Sequence, residues 1–223
     1  MFLLIPPEQN SIYWSLCLLV ACIVFVAAIK APWKQLAALS QRQHAWYGAI
    51  LGLAFFWLLQ VNVRDILAFH PLAVTTLTLV FGWHLAVVAG AFALLINSVL
   101  MSRLGLQFPV ELILNVILPA TVSAGFIWVL ERMRVRNVFI FMLGGGFVGA
   151  MLSLLAVLCC SALLFYALEA EAQWAMLAQY AHLYALMLFP EGFINGAMTS
   201  VLTIFYPHLV RSYDDDSYLD SNL

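Results

Sequence analysis

Apolar runs longer than about 18 residues recur along the whole of this 223-residue chain, and each is long enough to cross a bilayer. Lipid offers no partner to an open backbone, so such runs must close their hydrogen bonds internally as helices. The expected fold is therefore all-α, a polytopic membrane helix bundle. Composition agrees: 65% of residues are apolar and 9% charged, with a mean hydropathy of +1.01. A water-soluble domain keeps roughly a quarter of its residues charged.

The length leaves room for one transmembrane domain, residues 1–210, and a short acidic tail, residues 211–223. No Gly-, Ser- or Pro-rich linker divides it. The densest basic group, Arg132, Arg134 and Arg136, is too small for a nucleic-acid surface. Cys17, Cys22, Cys159 and Cys160 lie inside apolar runs without zinc-like spacing and read as small core residues. The start of the chain has no basic region of the signal-peptide kind, so the first span is expected to be retained.

Spans are expected near residues 11–29, 45–63, 109–130, 138–168 and 174–210. The stretch 66–101 reads as two short helices, broken at Pro71 and at Gly82-Trp83. The last span is interrupted in this reading at Pro190 and Gly192. Lys30, Lys34, Arg42, Arg132, Arg134, Arg136 and Arg211 belong on the cytoplasmic side, and Glu8, Glu169 and Glu171 outside. About seven transmembrane helices satisfy all of these, with the N-terminus outside and the C-terminus cytoplasmic. The tail, with Asp214, Asp215, Asp216 and Asp220, reads as a solvated end.

In such a chain the polar groups inside the spans are the candidates for function, because an ionisable side chain at bilayer depth costs roughly 2.5–3.5 kcal/mol on insertion scales. Asn62, His70, His84, Asn97, Glu111, Asn115, His182, Glu191 and Asn195 stand out. His70, directly before Pro71, is expected to begin a helix near the outer face. Its imidazole suits a transition metal, although one His alone makes no site. Glu191 and Asn195 are four apart and share a helix face, as do Glu111 and Asn115. Each pair serves either as a polar patch toward substrate or as an interhelix hydrogen-bond network. His84, at the proposed cytoplasmic turn, and His182 read more simply as packed amphipathic side chains. Gly48xxxGly52, Gly144-Gly145-Gly146 and Ala27xxxAla31 permit close helix packing. No nucleophile, zinc-protease or nucleotide-binding motif is present. Lys30 and Lys34 sit in a loop, unsuited to a Schiff base.

The ordered set His70-Pro71-Leu72-Ala73-Val74, Phe81-Gly82-Trp83, 85–100, 111–119 and Phe189-Pro190-Glu191-Gly192-Phe193-Ile194-Asn195 resembles the cobalt/nickel-specific membrane components of energy-coupling-factor transporters, the CbiM/NikM type. The likeness covers roughly residues 60–200. It implies a seven-helix bundle in the bacterial cytoplasmic membrane. It also implies a substrate-binding importer subunit that is not an enzyme, with an ATPase pair and a coupling membrane subunit as partners. No intrinsic cofactor is implied, only a bound transition metal as substrate, with a His at the place of His70 as one ligand. The family's mature chain starts Met-His and uses that segment for the rest of the site; here Phe2 and Leu4 stand at the start instead. The alternatives are a non-transport scaffold or assembly factor of the same fold and, last, an intramembrane enzyme built on Glu191.

Overall fold

The structure is a computed structural model that describes residues 10–63, 67–103, 105, 107–133, 137–167 and 171–213. It is an all-α membrane helix bundle. α1 (Asn10–Lys30) ends at Lys30, and a short α2 (Trp33–Ala38) follows Pro32. α3 (Ser40–Phe56) stops seven residues before the end of the span read from sequence as 45–63. The chain turns at Trp57 and forms a small antiparallel hairpin, β1 (Val61–Val63) and β2 (Leu67–Phe69), with Asn62 opposite Ala68. α4 (Val74–Phe81) and α5 (Trp83–Leu100) then meet at Gly82. α6 (Phe108–Leu112), a π-turn (Ile113–Ile117) and α7 (Leu118–Arg132) form one continuous rod. A π-segment (Ile140–Val148) runs straight into α8 (Gly149–Ala167), and α9 (Glu171–Phe205) closes the bundle.

Four of these helices are long and apolar enough to cross a membrane: Trp83–Leu100, Phe108–Arg132, Ile140–Ala167 and Leu177–Phe205. Their outer surface carries Phe92, Leu163, Phe189 and Phe205 in the open, as expected where the solvent is lipid. The interruption expected at Pro190 does not occur. α9 runs through it for 35 residues, about 52 Å at 1.5 Å per residue. The cysteines also differ from expectation: Cys22 and Cys159 are exposed on the bundle flank and Cys17 and Cys160 half-buried, so none is a core residue.

Glycines set the close approaches. A Cβ on Gly192 would lie 3.0 Å from the Phe147 carbonyl oxygen, and one on Gly146 would lie 3.1 Å from Cα of Gly196. The π-segment and α9 therefore pack backbone to backbone, as small residues allow in a bilayer. Gly48 and Gly52 instead face open space. At Gly82, φ is +79°, which lets the chain reverse between α4 and α5 without strain.

Contacts between elements sort their ends. Trp46 Nε1 donates to Leu85 O at 3.2 Å, His208 Nε2 lies 3.0 Å from Gln41 Oε1, and Arg211 N–H donates to Val80 O at 2.9 Å. One end of the bundle thus gathers the starts of α3 and α5 with the ends of α4 and α9. Farther along the bundle Asn97 Nδ2 donates to Ala54 O and Trp57 Nε1 to Leu72 O, both at 3.1 Å. Residues 211–213 pack on the bundle: Ser212 N–H donates to Leu79 O, and the buried Tyr213 ring lies 5.4 Å from Phe141. The tail from residue 214 onward lies outside the described residues.

Candidate functional site

α4 is a helix of eight residues, about 12 Å long, with every residue buried. It cannot cross a bilayer, and it begins in the interior. Its first turn exposes N–H groups that no preceding turn can satisfy. Ala73, the residue before it, carries no side-chain cap and has a left-handed backbone (φ 55°), unfavourable for an alanine. The missing cap comes from α9.

Glu191 Oε2 accepts from Leu72 N–H at 2.7 Å, and Oε1 accepts from Ala73 N–H at 2.9 Å. Asn195 Oδ1 accepts from the Thr76 N–H at 2.9 Å and from the Thr76 hydroxyl at 2.9 Å. The Asn195 amide donates back to Glu191 Oε1 at 2.8 Å and to the Glu191 carbonyl at 2.9 Å. Glu191 is 1% exposed and Asn195 0%. All three bonds at the carboxylate are accepted ones, the pattern of an acceptor-only group at a helix N-terminus, where the dipole favours negative charge. The i, i+4 spacing read from the sequence is what lets one face of α9 reach the Leu72 and Ala73 N–H groups before α4 and the Thr76 N–H within it. Glu191 lies midway along Leu177–Phe205, so the start of α4 sits at mid-depth of that crossing.

His70 does not begin a helix, as the sequence suggested. It lies four residues before α4, at the inner end of the hairpin, and is half-buried. Its Nδ1 is 3.2 Å from Pro71 O, a contact that does not use Nε2. The Trp57 ring lies 5.7 Å from the imidazole while Trp57 Nε1 holds Leu72 O. His70 therefore sits on a short non-helical stretch pinned by Glu191 below and Trp57 at the side. Such backbone is tolerated at membrane depth only where protein or a cavity surrounds it.

The other sequence candidates scatter. Glu111 is 1% exposed and Asn115 2%, and Glu111 Oε1 has no hydrogen-bond partner among the described residues. His84 stands in the first turn of α5 with Trp83 stacked edge-on at 5.1 Å, beside Glu131 and Arg211 at the opposite end of α4. His182 is exposed on α9. The side chain of Asn62 and the start of the chain, Met1 to Leu4, lie outside the described residues.

Sequence reading missed Trp57, Thr76 and a hydroxyl triad. Thr75 Oγ1 and Ser123 Oγ are 2.8 Å apart, and Ser123 Oγ and Ser153 Oγ 2.9 Å, all buried where α4, α7 and α8 meet. The run Thr75-Thr76-Leu77-Thr78 in an otherwise apolar helix was the available signal. Among the described residues no three His, Cys, Asp or Glu side chains come together to hold a metal ion. His70 can supply one ligand, and any others must come from elsewhere.

Residues 8–209 match a family model described as the cobalt uptake substrate-specific transmembrane region, CbiM. The chain belongs to this family. The CbiM match takes in every element from α1 through α9, including the broken helix and its cap on α9. CbiM proteins are membrane components of cobalt uptake, so this is a multi-pass transport component. No curated protein and no solved structure matches the chain.

Proposed function

We propose that this chain is the substrate-capturing membrane subunit of an energy-coupling-factor-type importer and takes a transition metal ion of the cobalt or nickel class at His70. The observation that carries this is an imidazole on non-helical backbone, four residues before a half-helix whose start is held by a carboxylate from another helix. Broken helices that begin near the midplane are where membrane transporters build their sites. In this reading the basic end of the bundle, with Lys30, Arg42, Arg132 and Arg211, faces the cytoplasm. Seven crossings result, and His70 opens toward the outside. Energy comes from a partner ATPase pair through a coupling membrane subunit, since this chain carries no nucleotide-binding motif.

The test is accumulation of labelled cobalt and nickel by cells that produce this chain with its ATPase and coupling partners. The native chain takes up at least one of the two ions. His70→Ala abolishes uptake at an unchanged amount of protein in the membrane. Absence of uptake of both ions by the native system, or full uptake by His70→Ala, contradicts the proposal.

A further inference from the structure

Two buried hydroxyls on α9 have no hydrogen-bond partner among the described residues, Thr199 Oγ1 and Thr203 Oγ1. They continue the row that begins at Glu191 and Asn195, each one turn after the last. The four are 1%, 0%, 0% and 4% exposed. The first two hold the start of α4, and the last two hold nothing. Other hydroxyls of the bundle avoid that state. Thr78, Thr121, Ser153, Ser161 and Ser200 each donate to the carbonyl four residues earlier. For Thr199 that carbonyl belongs to Asn195 and already accepts from the Thr76 hydroxyl. Valine has nearly the shape of threonine and no polar group to satisfy, so burial alone favours valine at both places.

The row faces the π-segment Ile140–Val148. A Cβ on Gly146 would lie 3.0 Å from Thr199 Oγ1, so this hydroxyl rests on bare backbone. A Cβ on Gly196 would lie 3.4 Å from Cα of Phe147. Where Gly146 meets Gly196 no side chains interlock, so the two elements can slide or part at small cost. π-turns inside α-helices recur at functional sites. From Glu191 to Thr203 is about 18 Å at 1.5 Å per residue. The row thus leads from the start of α4 toward the end of the bundle where α4 and α9 finish.

We propose that Thr199 and Thr203 are oxygen positions on the release route of the transported cation. When α9 and the π-segment part, the two hydroxyls and water line the gap and carry the ion from below His70 to the cytoplasmic end. Neutral hydroxyl oxygens suit a step of this kind, because a position on a path must bind weakly enough to let go. The proposal rests on the importer reading above and adds to it where the ion leaves.

The test uses the complete transporter, with its ATPase and coupling subunits, in vesicles. Cys17, Cys22, Cys159 and Cys160 are replaced by alanine, and Thr199→Cys or Thr203→Cys is introduced singly. A small, membrane-impermeant cationic thiol reagent is added on the cytoplasmic side. Both new cysteines react during ATP turnover and stay protected in the isolated chain. In the native cysteine background, Thr199→Val and Thr203→Val raise the thermal midpoint of the purified chain and leave its equilibrium binding of cobalt and nickel unchanged. Each slows uptake about tenfold, whereas Thr199→Ser and Thr203→Ser transport normally. Cysteines that stay unreactive in every state, full uptake with both valines, or a midpoint that falls with uptake overturns the proposal. A native transporter that takes up neither ion sinks the importer reading and this route together. A working native transporter indifferent to the valines sinks the route alone.

Discussion

Two pairs in this chain share one pattern, a Glu followed four residues later by an Asn, and the structure treats them oppositely. Glu191 and Asn195 on α9 face the start of α4 and satisfy the N–H groups of Leu72 and Ala73, just before it, and of Thr76 in its first turn. Glu111 and Asn115 are as deeply buried, yet Glu111 stands in the first turn of its own helix, α6, and its Oε1 has no hydrogen-bond partner among the described residues. The difference lies in what each pair faces. The start of a second helix, aimed at the carboxylate, offers it several donors in one direction. A buried acidic residue in a bundle is thus structural or idle according to its neighbour, and spacing alone does not decide.

The largest expected effect comes from breaking the satisfied pair. Glu191→Leu leaves the Leu72 and Ala73 N–H groups and one Asn195 donor unmet, at about 1–3 kcal/mol for each buried group. Thermal unfolding in detergent should show a loss of roughly 3–5 kcal/mol, at the scale of a broken buried charge network. If Glu111→Leu costs as much, the contrast between the pairs is false. Asn195→Ala removes the acceptor of the Thr76 N–H and should cost about 1–2 kcal/mol in the same assay, as a lost helix cap does. A loss near zero would mean that Glu191 alone holds α4.

Smaller effects sharpen the account. Ala73→Gly relieves the left-handed backbone before α4 and should stabilise by about 1 kcal/mol if the capped geometry persists in solution. Destabilisation would show that the turn is held differently. Glu111→Gln should change stability by no more than about 0.5 kcal/mol, since it trades one under-satisfied polar group for another. A marked loss there would reveal a partner for Glu111.

Much of this was legible beforehand. The run lengths gave the all-helical membrane class, and Gly82-Trp83 marked the turn between α4 and α5 because glycine alone accepts that backbone cheaply. The face shared by Glu191 and Asn195 followed from helical periodicity. The hairpin at Val61–Phe69 was hidden because an apolar strand and an apolar helix look alike in composition. Pro190 misled for a related reason. A proline removes one donor and bends a helix, but in a bundle neighbouring helices support the continuation. Trp57 was missed because its role lies in a bond to Leu72, fifteen residues away, and Glu191 reaches the same segment from 119 residues away. Nothing local encodes such pairings.

The central claim is that Glu191 holds the start of α4 and thereby sets His70 for its ligand. Equilibrium binding of cobalt and nickel to the purified full-length chain tests it most directly, comparing the native protein with Glu191→Gln and Glu111→Gln. Gln keeps the size of the side chain but puts a donor where an acceptor is needed. The account predicts binding at least about tenfold weaker in Glu191→Gln, as for other residues that orient a ligand, and unchanged binding in Glu111→Gln. Equal binding by all three proteins, or a loss confined to Glu111→Gln, would contradict it.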